Sequence, residues 1–193
     1  MKTCIALLLL LTATAAAHAQ TTGTPGPVSE SRIGDFVQAC FSALGSGKWL
    51  DNARCYDRAQ LAEFQRLYLQ RSEESAPGTV PQEFIAYYKA NIGLDRLKAA
   101  DPAEFFAAFN GGWAALLTPQ APCKHSPAGF AVDGVEANGQ DRYLVTGTTT
   151  ARRICGENTE ETSRTDTIAI RVRDGKPSVE MPQRTFELLK AGR

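Results

Sequence analysis

The chain has 193 residues, 43% of them hydrophobic, and equal numbers of basic and acidic residues (21 each), so its formal net charge is zero. Basic and acidic residues are interspersed, which excludes the positive footprint of a nucleic-acid binder and the polybasic patch of a membrane-surface protein. We therefore expect no nucleic-acid partner and no stable membrane anchor. The length suits one domain with a substantial core.

The N-terminus has the three zones of a secretory signal peptide. Lys2 supplies a positive charge, an unbroken apolar run covers residues 5–11, and Ala17 and Ala19 provide the small side chains of a cleavage site. The apolar run is too short for the roughly 20 residues that span a bilayer. We predict a cleaved signal peptide over residues 1–19 and a periplasmic or secreted location.

The segment after the signal is rich in Thr, Gly and Pro, a composition typical of a flexible leader. We assign this leader to residues 20–30 and predict a single domain over residues 31–193. Either Ser29 or Ser31 is suited to cap its first helix.

Apolar residues at helical spacing predict a series of helices in the first half of the chain. The first ends at Gly45, the second begins near Asp57, and the third opens at Pro81 and ends at Gly93. A short helix is predicted over residues 94–100.

Asp101 and Pro102 form a capped start for a further helix that carries Phe105, Phe106 and Phe109. Asn110-Gly111-Gly112 should break this helix, and residues 113–117 would then add a separate turn.

The second half of the chain has strand-like patterns, with hairpin signals at Asn138-Gly139 and Asp174-Gly175. A polar turn is expected over residues 156–162, and a short terminal helix over residues 184–193. The predicted strands are 130–137, 142–154, 164–173 and 177–181. Helices followed by an antiparallel meander predict an α+β fold, with N-terminal helices packed on a curved C-terminal sheet.

Four cysteines follow the signal peptide, and an even number in an exported protein indicates two disulfides. Three pairings are possible. The order of the segments favours Cys40–Cys55 and Cys123–Cys155, because each pair then joins neighbouring elements. A zinc site that combines cysteines with His125 is the alternative, but no C-x-x-C spacing supports it. We expect no metal and no cofactor.

The order of elements resembles the NTF2-like (cystatin-like α+β cone) superfamily, especially its small exported bacterial members. The shared features are Phe36-Val37-x-x-Cys40-Phe41 in a long first helix, Lys48-Trp49-Leu50 after it, a helical run ending near Leu117, and the hairpin Arg171-Val172-Arg173-Asp174-Gly175-Lys176. The resemblance covers most of residues 31–182 and implies a cone that encloses an apolar cavity. Some members of the superfamily bind small molecules, a few are isomerases or hydrolases, and others mediate assembly, so the fold alone does not define a function.

The sequence contains no recognisable catalytic motif. His125 is the only histidine after the signal peptide, and a Ser-His-acid triad, a nucleophile elbow, a zinc-protease motif and a phosphate-binding glycine loop are all missing from the pattern. A cone-fold isomerase would need a buried carboxylate and a tyrosine donor. The candidates for those roles are Asp51, Asp57, Tyr56, Tyr87 and Tyr88.

Arginines on neighbouring strands suggest a partner surface. Arg152, Arg153, Arg171 and Arg173, together with the threonine-rich stretch 146–150, would suit an acidic partner. A solvated strand edge explains the same residues more simply if nearby acids pair with the arginines. The acids close in sequence are Glu157, Glu160, Glu161 and Asp166.

These patterns favour an exported, non-catalytic binding domain for a small apolar ligand or a protein partner. The alternatives are an inhibitor or immunity-type protein that binds another protein, and an isomerase- or hydrolase-like enzyme that uses a buried carboxylate. We predict no catalytic residue.

Overall fold

The computed structural model describes residues 28–117 and 123–191, with residues 124–128 described by their backbone alone. The predicted signal peptide and most of the predicted leader lie outside the described residues. The described chain forms seven α-helices and one four-stranded antiparallel sheet, and its fold is α+β. In chain order the elements are α1 (Glu30–Gly45), α2 (Trp49–Ala53), α3 (Arg58–Ser75), α4 (Gln82–Tyr88), α5 (Leu94–Ala99), α6 (Pro102–Leu117), β1 (Lys124–Ala137), β2 (Arg142–Cys155), β3 (Asn158–Arg173), β4 (Lys176–Val179) and α7 (Gln183–Ala191).

Side-chain caps set the starts of the long helices. The Ser29 hydroxyl accepts a hydrogen bond from the Arg32 N–H at 3.3 Å at the start of α1. At the start of α3, an Asp57 carboxylate oxygen accepts from the N–H groups of Ala59 and Gln60 at 2.9 and 3.1 Å. These caps satisfy N–H groups that have no partner inside the helix.

Helix α6 runs unbroken from Pro102 to Leu117, so the predicted break at Asn110-Gly111-Gly112 is wrong. The glycines serve close packing instead. A Cβ atom placed on Gly112 would lie only 1.9 Å from the Glu83 carbonyl oxygen of α4. Glycine at this position therefore lets the backbones of two helices approach more closely than any other residue would allow.

Helix α4 ends at Tyr88 rather than at the predicted Gly93, because Lys89 adopts a left-handed conformation with φ of 52°.

The sheet is a meander in the order β1-β2-β3-β4, and its central pair is longer than predicted. Strand β3 begins at Asn158, so most of the predicted polar turn over residues 156–162 is strand. Gly156, with φ of 62°, lies at the tight β2–β3 turn. Strand β1 likewise begins at Lys124, six residues before the predicted start, and two register shifts bend it.

Two apolar clusters form the core. In the first, α1 packs on one face of the sheet, with Ile33 and Val37 against Val145 and Ile170. The second lies among the helices and is rich in aromatic side chains, including Phe64. The partly buried Tyr56 packs against both clusters and joins them.

Both disulfides have the pairing that the segment order favoured. Cys40–Cys55 joins α1 to the turn after α2, where the buried Asn52 amide donates a hydrogen bond to the Cys40 carbonyl at 3.0 Å. Cys123–Cys155 joins the residue before β1 to the end of β2.

Replacing Gly112 with alanine should destabilise the protein, because the new methyl group must displace the α4 backbone. We expect Gly112→Ala to lower the free energy of unfolding by about 3 kcal/mol. Gly34→Ala in α1 is the matched control, since its Cβ would meet Val135 at an ordinary 3.5 Å. It should be neutral or stabilise by up to about 1 kcal/mol. Urea unfolding of both variants measures the two effects, and equal changes would contradict the tight contact.

Candidate ligand-binding site

Two neighbouring clefts share Tyr56, Met181 and Pro182 on their walls. We call the first the apolar groove. It has a volume of about 390 Å³ and lies among α3, α6 and α7. We call the second the polar cleft. It has a volume of about 450 Å³ and lies among α1, the start of α3, and strands β2 to β4. The residues that line the apolar groove are Tyr56, Phe64, Tyr68, Phe106, Phe109, Asn110, Met181, Pro182, Thr185, Leu188 and Leu189.

Interlocked aromatic rings form the wall of the apolar groove. Phe64 and Tyr68 are four residues apart on α3, and Phe106 and Phe109 are three apart on α6, so each pair lies on one helix face. Phe64 meets Phe106 and Phe109 edge to face, at centroid distances of 5.3 and 5.2 Å. Tyr68 meets Phe109 at 5.1 Å. Edge-to-face contacts of this kind define a stable apolar wall.

The opposite wall of the apolar groove is α7, an amphipathic helix with no buried residue. Phe186 and Leu189 pack against the helical core, whereas Leu188 is 43% exposed and lines the groove. An apolar side chain in this position leaves surface that a ligand would cover.

Behind the aromatic wall, Tyr68 is hydrogen-bonded to a buried acid. The Tyr68 hydroxyl donates to a carboxylate oxygen of Glu83, whose exposure is only 4%. Burial raises the pKa of Tyr68, and the hydrogen bond to Glu83 raises it further. The sequence analysis missed Glu83, because an acid in the first turn of a helix is an ordinary N-terminal residue. Glu83 is not among the residues that line the groove, so it does not face a ligand there.

The polar cleft contains a second buried acid, Glu180, held between two arginines. Arg142 donates to one Glu180 oxygen through Nε and Nη2, at 3.0 and 2.5 Å. Arg171 Nε lies 2.6 Å from the other oxygen, an ion-pair distance without hydrogen-bond geometry. Arg142 and Arg171 are opposite each other in the β2–β3 register, and Glu180 offsets the repulsion between them.

The predicted catalytic candidates are not brought to one site. Asp57 caps α3 and forms an ion pair with Arg173 at 3.0 Å, so its carboxylate is occupied. Asp51 is exposed beside Arg54. Tyr87 and Tyr88 line a separate cleft beside α5.

Tyr56 lies at the boundary of the apolar groove and the polar cleft, and burial raises the pKa of its phenol. None of the other four candidates lines either of these clefts.

The four predicted surface arginines form no common surface, because they lie at opposite ends of the sheet. Arg152 is opposite Glu161 on β3 and 3.3 Å from its carboxylate. Arg171 is ten residues farther along β3 than Glu161, a distance of roughly 33 Å along a strand. Arg153 is likewise paired with Glu160 at 3.9 Å. Each arginine has an acidic partner. Arg152 and Arg153 pair with exposed acids, the arrangement expected of a solvated edge, whereas Arg171 and Arg173 pair with the buried Glu180 and Asp57.

The described residues offer no metal site. Cys123 and Cys155 are joined to each other, so neither thiolate is available to bind zinc. Across residues 28–117 and 123–191, no group of three or more potential ligands lies close enough to hold a metal ion. The side chain of His125 lies outside the description.

Comparisons of the chain with protein-family models, with curated proteins and with solved structures find no match. In the described part of the chain, no helix has both the length and the apolar character needed to cross a membrane.

Removing the Tyr68 hydroxyl should destabilise the protein, because Glu83 would stay buried without its donor. We expect Tyr68→Phe to lower the free energy of unfolding by about 1–3 kcal/mol. Tyr87→Phe is the control, since Tyr87 is 36% exposed and should change stability by less than about 0.5 kcal/mol. Denaturant unfolding of both variants at neutral pH measures the difference, and an unaffected Tyr68→Phe protein would contradict this role of the hydrogen bond.

Stability should fall at alkaline pH because the folded protein retains the Tyr68 proton. The unfolded chain releases this proton near the ordinary tyrosine pKa of 10.0, whereas the folded-state pKa is higher. The stabilisation from the retained proton is therefore complete below the unfolded-state pKa of 10.0, and it is lost as pH rises from there through the folded-state pKa of Tyr68. Unfolding experiments at increasing pH should show a shallower alkaline decline for Tyr68→Phe than for the unmodified protein. Parallel declines would contradict the raised pKa.

Proposed function

We propose that this chain is an exported, non-catalytic binding domain that holds a small apolar ligand in the apolar groove. The observation that carries the proposal is the pairing of a rigid aromatic wall with a partly exposed amphipathic helix. Phe64, Phe106 and Phe109 pack against one another on one side, while Leu188 of α7 remains 43% exposed on the other.

The size and lining of the apolar groove suit a small molecule. Its volume of about 390 Å³ lies within the range of roughly 300–1,000 Å³ that is typical of ligand pockets. Ring faces and aliphatic side chains supply most of its surface. Asn110 and Thr185 supply polar side chains that would orient a ligand carrying a single polar group.

Helix α7 is the element best suited to adapt to the ligand. No residue of α7 is buried, so few contacts oppose a small displacement of this helix from α3. A ligand between the aromatic wall and Leu188 would remove that leucine from water. Covering it would contribute roughly 1 kcal/mol to binding.

Export is part of the proposal and is supported by the three zones of residues 1–19 and by the two disulfides. Disulfides persist in oxidising compartments such as the periplasm. The order of helices followed by an antiparallel meander supports the further hypothesis that the domain is NTF2-like.

The buried acids support the proposed absence of catalysis, because their carboxylate oxygens already have partners. Glu180 faces the polar cleft, but Arg142 and Arg171 engage its two oxygens. Glu83 accepts from Tyr68 and does not line the apolar groove. An isomerase would need a carboxylate that is free to take a proton from a substrate.

The neutral fluorescent probe N-phenyl-1-naphthylamine tests the binding function. We expect the purified mature protein to bind this probe with enhanced fluorescence and Leu188→Ser to weaken binding about fivefold. Leu117→Ser is the matched control, because Leu117 is also an exposed helical leucine, at 65%, but does not line the groove. It should leave the dissociation constant unchanged. No probe binding, or equal effects of the two substitutions, would contradict a ligand site in the apolar groove.

A further inference from the structure

One edge of β3 is uncovered over most of its length. Strand β2 pairs with β3 from Asn158 to Arg171, whereas β4 pairs only with Ile170–Arg173. The last contact on the β4 side is the hydrogen bond from the Glu180 N–H to the Ala169 carbonyl at 2.8 Å. Among the described residues, no strand pairs with residues 158–168 on that side.

The hydrogen-bond pattern shows which backbone groups of β3 face this edge. The Val172 N–H donates to Asp141 beside β2, so even-numbered residues point their backbone groups toward β2. The Ala169 carbonyl points toward the β4 side, and odd-numbered residues therefore point outward. The backbone groups of Thr159, Glu161 and Ser163, and then those of residues 165 and 167, lie along the open edge.

This edge carries charged side chains, which discourage indiscriminate pairing, but it has no other feature that usually protects edge strands. It contains no lysine and no proline, and its pairing with β2 runs from residue 158 to 171 without a register shift. Both faces of residues 158–165 are exposed. An exposed, long and regular edge is a template for pairing with another strand.

We propose that a second copy of this chain pairs antiparallel with the β3 edge, about a two-fold axis that passes beside Thr162. A two-fold axis perpendicular to the sheet keeps each side chain on the same face of the sheet in both copies. Residues that lie directly opposite each other must also share a face, so the axis must pass beside one residue, which then lies opposite its own copy. With Thr162 at the centre, Glu160 lies opposite Arg164 of the second copy, and the symmetry repeats that pair. Opposite charges in direct cross-strand contact stabilise the pairing.

The charges of the strand select this register over its neighbours. A two-fold axis beside Glu161 places Glu161 opposite Glu161 of the second copy. An axis beside Glu160 likewise places Glu160 opposite Glu160 of the second copy. A centre at Ser163 places Glu160 opposite Asp166, and a centre at Arg164 places two arginines together. Like charges directly opposite each other destabilise a strand pair. Among these five registers, only the one centred on Thr162 has opposite-charge pairs and no like-charge pair.

The same register gives hydrogen-bond partners to the backbone groups along the open edge of β3. The outward-facing groups of Glu161 meet those of Ser163 of the second copy, and Thr159 meets Thr165, so symmetry yields about eight main-chain hydrogen bonds. Glu160 and Arg164 then occupy non-hydrogen-bonded positions, where opposing side chains are closest.

Both charged side chains are exposed, although each already has a partner within its own copy: Arg164 Nε lies 2.9 Å from Asp166, and Glu160 lies 3.9 Å from Arg153. The side chain of Glu160 is 65% exposed and that of Arg164 is 80% exposed. Arg153 already lies opposite Glu160 across β2 and β3, so the dimer would extend that pair into a row of three charges.

The ends of the free edge suit a second copy of this chain. The register centred on Thr162 uses residues 158–166 of both copies. In this register the tight turn that precedes β3 in each copy lies just short of Ala169 in the other copy. The turn therefore does not collide with Glu180, which covers the edge at Ala169. The Cys123–Cys155 disulfide holds that turn to the start of β1.

Sedimentation velocity over a range of concentrations of the mature protein tests the charge pairs. We expect a concentration-dependent dimer, with dissociation constants raised roughly tenfold by Glu160→Arg and by Arg164→Glu. The double variant restores the pairs in reversed order, so its dissociation constant should return to within about threefold of the original. Glu136→Arg on β1 makes the same change in net charge as Glu160→Arg, but outside the β3 edge, and it should have no effect.

A proline substitution tests the backbone contacts independently. The Ser163 N–H points away from β2, so Ser163→Pro should remove the dimer while circular dichroism and thermal unfolding stay close to those of the original protein. A protein that is monomeric at every concentration would overturn the proposal. A dimer that tolerates the single charge reversals, or that the double variant fails to restore, would also overturn it.

Discussion

The close contact between α4 and α6 at Gly112 is the constraint on which the helical half of the protein depends. Because no Cβ intervenes, the α6 backbone approaches Glu83 closely. Helix α6 runs through this contact from Pro102 to Leu117. This continuous helix places Phe106 and Phe109 against Phe64 on one face, and their rings form the wall of the apolar groove.

The sheet half follows a different constraint, since the β2–β3 pair extends well beyond the core. Near Ile168 and Ile170 the strand is covered by α1, but residues 158–165 are exposed on both faces. Cross-strand ion pairs such as Arg152–Glu161 and a disulfide at the turn support that extension. The part of β3 covered by α1 belongs to the core, and the extended part has an edge with which no described strand pairs.

The buried acids of this protein have charged or hydrogen-bonding partners. Glu180 is shared by two arginines, and Asp57 combines a helix cap with an ion pair to Arg173. Glu83 is hydrogen-bonded to Tyr68. Buried acids that already have partners stabilise the fold, whereas a general base must keep a free oxygen near its substrate.

The sequence by itself determined the fold class, the start of the second long helix near Asp57, and the division into helices followed by a meander, because caps and periodicity involve residues close in the chain. For the first helix it left Ser29 and Ser31 as alternative caps, and the structure selects Ser29. Only the tertiary structure decided that Gly112 is a contact rather than a break, that Glu83 is buried, and that Arg152 and Arg171 are far apart. It also decided where the apolar groove forms, because α7 forms one wall of the groove and is distant in sequence from α3 and α6. These features depend on contacts between segments that are distant in sequence, and no local pattern encodes such contacts.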